Sequence, residues 1–368
     1  MSLWTFGQGD GAHALVIGVG DYPSLLGGTA PLYPQHGGMT QLTSARPSAQ
    51  AFADWLTTQY QSATAPLRSL ELLISDAIPV NYTAAGQTQT VERATSATVR
   101  KKVLDWFQRA NTQQNRAIFY FCGHGVAAGL QCTLLFEDFG TVQPAPLSGA
   151  LDFTRFHLGM DQCAAREQMF FVDACRAASP MLLYSAGYYG DPVLTPGKPT
   201  SPSRKPPVLY AALPNAVAYG RTNQSSFFTE ALLKAVHGSG AGKIAGRWSI
   251  LPSVLYRSLS RLLEQAVAGT SVIQACTVDH LVDFAIHDLS GDPDVPVSVD
   301  CQPPINLAAD RLIATSPGAN RDQPPPVPKP WCVDLPVGQY RFSASSPAGT
   351  SVYVDEIVFP PYTDVVLP

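Results

Sequence analysis

Two short runs of uniformly apolar residues constrain the fold of this chain more than any other feature. The runs are AIFYF at residues 117–121 and MFFV at residues 169–172. A strand that is buried on one face alternates apolar and polar residues, whereas these runs are apolar at every position. Both runs therefore predict central strands buried on two faces, as in a parallel sheet with helices on each side.

Segments with helical periodicity separate these runs from further strand candidates over the first 290 residues. Apolar residues recur there at intervals of three and four, which predicts helices at 47–60, 96–110 and 252–267. Short apolar runs predict further strands at 13–19, 70–74 and 208–212. Alternating strands and helices predict an α/β domain with a mostly parallel central sheet.

The last part of the chain has a different periodicity. Apolar residues alternate with other residues at Val295, Val297 and Val299, and the same period of two recurs around Tyr340 and Phe342. This pattern is typical of strands with one buried face. We therefore predict two domains, an α/β domain over residues 1–290 and a small, sandwich-like all-β domain over residues 291–368.

The composition disfavours several classes of function. Charged residues make up 14% of the chain, and 24 Lys and Arg against 28 Asp and Glu give a net charge of -4, which does not favour a nucleic-acid partner. No apolar run approaches the roughly 20 residues of a membrane span, and no signal peptide is evident. The seven cysteines form no C-x-x-C pair, and the histidines show no metal-ligand spacing. We expect a cytoplasmic protein without a metal or other cofactor.

The two buried strands run into residues that can do chemistry. The first is followed by His124, which lies between Gly123 and Gly125, and the second by Cys175. Functional groups gather at the carboxyl ends of strands in an open parallel sheet, so both side chains are expected to face one cleft. An imidazole is the usual base for a thiol nucleophile. The backbone N–H groups of Gly125 and Cys175 are candidates for an oxyanion hole.

Each of these residues has a simpler interpretation when taken alone. Cys175 fits an inert buried thiol, because cysteine is among the most buried residue types. His124 fits a core histidine with a satisfied hydrogen bond. Their joint position at the ends of two buried strands favours a catalytic dyad.

These two motifs, Cys122-Gly123-His124-Gly125 and Asp173-Ala174-Cys175-Arg176, resemble those of the caspase, metacaspase and paracaspase clan of cysteine peptidases. The resemblance extends over roughly residues 12–290. It implies a caspase-like α/β/α sandwich and an endopeptidase that cuts protein or peptide substrates, with Cys175 as nucleophile and His124 as base. No third catalytic residue is required in this family.

The resemblance also bears on the pocket for the residue before the cut. Metacaspases and paracaspases carry an Asp two residues before the nucleophile and cut after a basic residue, and Asp173 stands at that position. Cleavage after Arg or Lys is therefore expected. Ser48 stands where metacaspases usually carry a second acid, Tyr219 lies near the usual aromatic wall, and Cys122 is a candidate for the pocket wall. Alternatively, Asp173 caps backbone N–H groups of a loop.

A long loop rich in Pro and Gly, residues 184–207, follows the second motif. In caspases the corresponding segment is cut to mature a zymogen, and exposed loops of this composition are where proteolysis concentrates. Lys198 and Lys205 each precede a proline, which obstructs cleavage. The bond between Arg204 and Lys205 is therefore the predicted self-processing site, and the alternative is a loop that the enzyme does not cut.

Two other functions remain open at this level. One is an inactive caspase-fold adaptor that binds a regulatory protein partner through its β domain. The other is an amidase or acyltransferase that uses the same dyad on a small substrate. The extended, Gly- and Pro-rich loops favour a peptide substrate.

Overall fold

A computed structural model of the chain describes residues 2–183, 185–201, 203–303, 310–317, 319–325, 330–347, 349 and 351–368. The chain divides into two compact units, Met1–Leu233 with Leu262–Phe284 and Lys234–Arg261 with Ala285–Pro368. The second unit thus includes residues 234–261, which the sequence pattern places in the first domain. That residues 1–290 and 291–368 are separate domains stays a prediction.

The helices are amphipathic or short, and most begin close to a strand end. In chain order they are α1 (Ala45–Thr58), α2 (Ser96–Ala110), α3 (Phe153–Gly159), α4 (Pro180–Leu183), α5 (Phe227–Lys234) and α6 (Pro252–Val267). The Thr95 hydroxyl caps α2 by accepting from the Thr98 N–H, and the Asp152 carboxylate caps α3 by accepting from the Arg155 N–H. The beginnings of these helices are therefore fixed by local sequence.

The strands fall into a first set that builds the α/β unit and a second set that is mostly all-β. The first set is β1 (Leu3–Thr5), β2 (Ala12–Val19), β3 (Leu67–Ser75), β4 (Asn81–Ala84), β5 (Gln87–Thr90), β6 (Arg116–Gly123), β7 (Gly125–Ala128), β8 (Gln131–Leu135), β9 (Ala150–Asp152), β10 (Glu167–Ala174), β11 (Ala177–Ala178) and β12 (Val208–Tyr210). The second set is β13 (Ala241–Ile244), β14 (Arg247–Ile250), β15 (Thr277–Asp279), β16 (His287–Asp288), β17 (Asp294–Cys301), β18 (Arg311–Ser316), β19 (Ala319–Gln323), β20 (Trp331–Pro336), β21 (Gly338–Ser345), β22 (Ser351–Val358) and β23 (Thr363–Leu367).

The central sheet of the first unit has the strand order β1-β3-β2-β6-β10-β12-β15. Its inner pairs are parallel, and the two edge strands β1 and β15 are antiparallel to their neighbours. In the register of β6 and β10, Cys122 lies opposite Asp173 and Gly123 opposite Ala174. The two motifs therefore leave the sheet side by side.

Helices cover both faces of this sheet. Phe52 of α1 stacks on Tyr120 at 4.4 Å between ring centroids and also contacts Phe171. On the opposite face, Trp106 of α2 and Phe156 of α3 pack around Phe119. Aromatic residues that are neighbours in sequence thus point to opposite helical layers, which is why the runs are apolar throughout. The predicted α/β/α architecture with a mostly parallel central sheet is confirmed.

A smaller sheet lies beyond the carboxyl end of β6, with the order β11-β7-β8-β9. Strand β7 begins at Gly125, directly after His124, and strand β11 begins two residues after Cys175. The parallel pairing of these two strands draws the two motifs together a second time.

The second unit contains two sheets with the orders β20-β17-β23 and β19-β18-β21-β22, besides the sheet β13-β14-β16. Val295 and Val297 of β17 belong to the same buried cluster as Leu312 of β18 and Phe342 of β21. Two sheets that share a core form a sandwich, so the predicted C-terminal all-β architecture is also confirmed. Within the part of the chain that the structure describes, no helix combines the length and hydropathy of a membrane span.

Candidate active site

His124 and Cys175 line the same cleft at the carboxyl edge of the central sheet. The cleft has a volume of about 540 Å³. It is formed where β6 and β10 end, because both strands pass their last paired residues and diverge there. The structure thus places together the two residues that the sequence pattern pairs as nucleophile and base.

The His124 ring is held in one orientation by two contacts. Its Nε2 lies 2.7 Å from the carbonyl oxygen of Thr40, which can only accept, so Nε2 carries the proton and Nδ1 is the free base. The His124 backbone N–H donates to the Tyr22 hydroxyl at 2.7 Å, and the two rings lie 4.8 Å apart. Burial lowers the pKa of the imidazole below its usual value, so the ring is neutral at pH 7.

The Cys175 thiol contacts the backbone of a single residue, Ala218. Sγ lies 3.5 Å from the Ala218 carbonyl oxygen and accepts from the Ala218 N–H at 3.3 Å. Burial raises the pKa of the thiol above its usual value. The resting dyad is therefore a neutral thiol beside a neutral imidazole, and the thiolate must form when the proton moves to His124.

Gly125 is required by the close approach of two chain segments. A Cβ at this position would lie 2.5 Å from the carbonyl oxygen of Cys175, so no side chain fits. In the ladder with β8, the Leu135 N–H donates to the carbonyl of His124. Because backbone groups alternate in direction along a strand, the Gly125 N–H points away from β8, toward the Cys175 side. This is where an oxyanion formed at the Cys175 sulfur would need a donor.

Asp173 lies beneath the cleft and is almost fully buried, with 3% of its surface exposed. Its Oδ2 accepts from the hydroxyls of Ser226, Thr229 (2.7 Å) and Tyr120 (3.4 Å). Burial raises the pKa of the carboxyl, although these donors oppose that shift. A buried carboxylate held only by neutral hydroxyls has no counter-charge within its hydrogen-bond network, and a cationic side chain would supply one.

Two of the predicted pocket residues surround this carboxylate. Cys122 hydrogen-bonds to Asp173 and to Ser48, and burial raises the pKa of its thiol well above the usual value. The Ser48 hydroxyl accepts from the Ser226 N–H at 2.9 Å. Ser48, Cys122 and Asp173 therefore form one polar cluster between α1, the sheet and the beginning of α5.

Tyr219 lies beside the nucleophile but not in this cluster. Its side chain is 36% exposed, and its N–H donates to Gln274 at 3.0 Å. The next residue, Gly220, approaches α1 so closely that a Cβ would lie 2.6 Å from the Ser44 hydroxyl. The loop before α5 thus runs from the Cys175 thiol to the N-terminal end of α1.

Sequence reasoning did not identify Thr40, Ala218, Ser226 or Thr229 as site residues. Thr40 and Ala218 act through backbone atoms, which leave no mark on side-chain identity. Ser226 and Thr229 were detectable in principle. They are three residues apart at the beginning of a helix, so both hydroxyls lie on one face, and that face meets the sheet at Asp173.

The predicted processing site lies at the opposite end of the sheet from the dyad. The Arg204 guanidinium pairs with Asp161 and donates to the side chain of Gln168 at 3.0 Å, and burial lowers its pKa to about 10. The Lys205 N–H donates to Arg166, and its carbonyl accepts from Gln168. The bond after Arg204 is therefore held along the beginning of β10 in this conformation.

Part of the predicted activation loop, residues 184–207, is not described. Tyr184 and Pro202 lie outside the described residues. The remainder contains no helix or strand of its own among the residues that the structure describes, in agreement with the Pro- and Gly-rich sequence.

Comparison with known proteins adds independent findings. A family model described as caspase domain matches residues 12–270. An uncharacterized protein of Sinorhizobium fredii, y4kE, is 26% identical over 254 residues, which are 66% of this chain and 72% of that protein. A probable protease of a Desulfuromonadales bacterium is 27% identical over 240 residues, 61% of this chain and 27% of the relative. The crystal structure of caspase-1 from Spodoptera frugiperda matches 74% of this chain and 89% of its own, at 10% identity and a TM-score of 0.45.

Proposed function

Because the chain belongs to the caspase-domain family, we propose that it is a cysteine endopeptidase with Cys175 as nucleophile and His124 as base. One observation carries the proposal. The two side chains line one cleft, and the Thr40 carbonyl fixes the proton on Nε2, which leaves Nδ1 of His124 as the acceptor. The thiol is the only further group that this reaction needs.

The reaction begins with a proton transfer. As a peptide bond enters the cleft, the Cys175 proton moves to Nδ1 of His124, and the sulfur attacks the carbonyl carbon. The oxyanion is stabilised by the N–H groups of Gly125 and Cys175. The imidazolium returns its proton to the leaving amine, and a thioester remains on Cys175. Water, deprotonated by His124, then attacks the thioester and releases the new carboxyl end.

The substrate residue before the cut is Arg or Lys. Asp173 receives the cation, while Ser48, Cys122 and Tyr219 contribute to the walls of the pocket. Three hydroxyl groups already hold the Asp173 carboxylate, and a substrate cation supplies the counter-charge that they lack. To admit the cation, the Ser226 hydroxyl must rotate away, which ties pocket opening to the loop before α5.

Activation by self-processing belongs to the same proposal. The cut falls between Arg204 and Lys205, and the ion pair of Arg204 with Asp161 must break first. The chain is then made as a zymogen whose processing site is protected until residues 198–207 are released from the sheet.

Hydrolysis of fluorogenic peptides tests the proposal. Wild-type protein should hydrolyse a peptidyl-arginyl aminomethylcoumarin, and Cys175→Ala and His124→Ala should each reduce kcat/KM by at least about 1000-fold. Cys332→Ala is the matched control, because Cys332 is an exposed free thiol in the second unit. Melting temperatures of the four proteins should agree within a few degrees.

The same experiment separates the competing functions. An adaptor with an inactive dyad would hydrolyse none of a panel of peptides, and an arginyl electrophile would label Cys175 in neither wild type nor His124→Ala. An amidase for small substrates would hydrolyse acyl amides but not internally quenched peptides. Whether the β unit binds a regulatory partner stays a prediction under either outcome.

A further inference from the structure

The cleft extends past the dyad on the side away from Asp173. Asp173 and Cys122 lie on the face of the sheet that α1 covers, where they meet Ser48. Val126 belongs instead to the buried cluster on the face covered by α2 and α3, and Met39 and Met181 pack against that cluster. The dyad therefore separates a polar pocket from an apolar cavity, on opposite sides of the same edge.

The lining of this cavity is mainly apolar. Met39, Val126, Met181 and Val217 contribute side chains, and Gly37 and Gly38 expose backbone without side chains. Apart from His124 and Cys175, none of the described residues that line it has an ionisable side chain. A charged group placed here would lose water without gaining a counter-charge, whereas an apolar group would lose nothing.

The cavity is built from anchored residues. The Tyr33 hydroxyl lies 3.6 Å from the sulfur of Met181, and the Tyr33 ring packs edge-on against Phe139 at 5.6 Å. The same segment of chain supplies the Thr40 carbonyl that orients His124. The cavity wall and the catalytic base are thus held by one segment, which fixes the cavity relative to the reacting atoms.

We propose that this cavity is the subsite for the first residue after the cut bond and that it selects an apolar side chain, such as Leu or Met. The inference rests on the proposed function. The residues on either side of a cut bond project to opposite sides of the nucleophile. When the residue before the cut occupies the Asp173 pocket, the leaving residue lies over Met39, Val126 and Val217. The amine that accepts the His124 proton then lies at the mouth of an apolar site, where it is shielded from water.

Two kinds of substrate separate this inference from the proposed function. A peptidyl-arginyl aminomethylcoumarin has a leaving group without an amino-acid side chain, so its hydrolysis reports on the dyad and the Asp173 pocket alone. Internally quenched peptides with arginine before the cut then differ only in the residue after it, which is Leu, Met, Gly, Asp or Lys. We expect kcat/KM to be at least tenfold higher with Leu or Met than with Asp or Lys.

Charge substitutions at Val217 test the position of the subsite. Val217 is 42% exposed, so a charged side chain there does not disturb the core. Val217→Glu should raise the rate with Lys relative to Leu at least threefold, and Val217→Lys should do the same for Asp. Leu130→Glu is the matched control, because Leu130 is 79% exposed and lies outside the cavity lining, and it should leave both ratios unchanged.

Each outcome decides the matter. Hydrolysis of the coumarin substrate with rates that agree within threefold across the five peptides would overturn the subsite and leave the proposed function standing. The same holds if the two Val217 variants leave both ratios unchanged. Failure to hydrolyse either kind of substrate would overturn the proposed function and the subsite with it.

Discussion

Replacement of Asp173 by asparagine should separate substrate recognition from stability. The hydroxyls of Ser226, Thr229 and Tyr120 all donate to the same oxygen, Oδ2. An asparagine whose carbonyl oxygen takes the place of Oδ2 keeps all three contacts. The substitution therefore removes the charge and preserves the shape and these hydrogen bonds.

The effect on stability follows from the raised pKa. Burial raises the pKa of the Asp173 carboxyl in the folded state, so folding disfavours its ionised form. Such a group contributes stability below its unfolded pKa and loses it as the pH rises through the folded pKa. The asparagine variant has no such loss. Its melting temperature should match that of wild type near pH 4 and equal or exceed it at pH 8.

The effect on activity has the opposite sign. Removal of one partner of a buried, hydrogen-bonded charge pair costs about 2–5 kcal/mol. The lower end applies here, because the hydroxyls of Ser226 and Thr229 already satisfy part of the carboxylate before substrate arrives. For a substrate with Arg before the cut, a loss of about 2–3 kcal/mol lowers kcat/KM roughly 30- to 150-fold.

Three measurements on one set of proteins test this reasoning. They are kcat/KM on the arginyl coumarin, the melting temperature from pH 4 to 8, and the rate at which iodoacetamide alkylates Cys175. Asp152→Asn is the matched control, because Asp152 is also fully buried with a carboxyl pKa raised by burial but lies outside the cluster. A lower melting temperature at pH 8, with equal losses in cleavage and alkylation, would show that Asp173 only supports the fold. Unchanged cleavage after Arg would refute its role in recognition.

Further predictions concern the dyad and the processing site. Because burial raises the pKa of the Cys175 thiol, its alkylation rate in a Cys332→Ala background should rise about tenfold per pH unit from 6 to 8, and a plateau below pH 7 would reveal a preformed ion pair. Asp161→Asn should speed the cut after Arg204 because it removes the ion-pair partner; mass spectrometry should find that cut in active enzyme only, and an active chain that stays whole would contradict self-processing. Tyr22→Phe should cost about 1–3 kcal/mol of unfolding free energy in denaturant titrations, because the buried N–H that it leaves behind loses its acceptor, and an unchanged midpoint would show that the contact contributes nothing.

The elements that sequence predicts best are those whose signal is local. Helix α2 occupies Ser96–Ala110, the same residues as the predicted helix, because its cap and its apolar stripe both lie within the segment. The strands at 117–121 and 169–172 were recognised because burial on two faces leaves no polar position. The hairpin of β7 and β8 was missed, since four- and five-residue strands with mixed composition carry little periodicity.

The site divides along the same line. A residue at a strand end can be located from sequence, because the strand is recognisable and its end defines an edge of the sheet. Asp173 is therefore predictable, but its partners are not, since Thr229 lies 56 residues away and reaches it only when α5 packs on the sheet. The Thr40 carbonyl lies 84 residues from His124 and has no side-chain signature at all. Sequence thus identifies the groups that react, whereas the protonation states of those groups depend on contacts that only the folded chain creates.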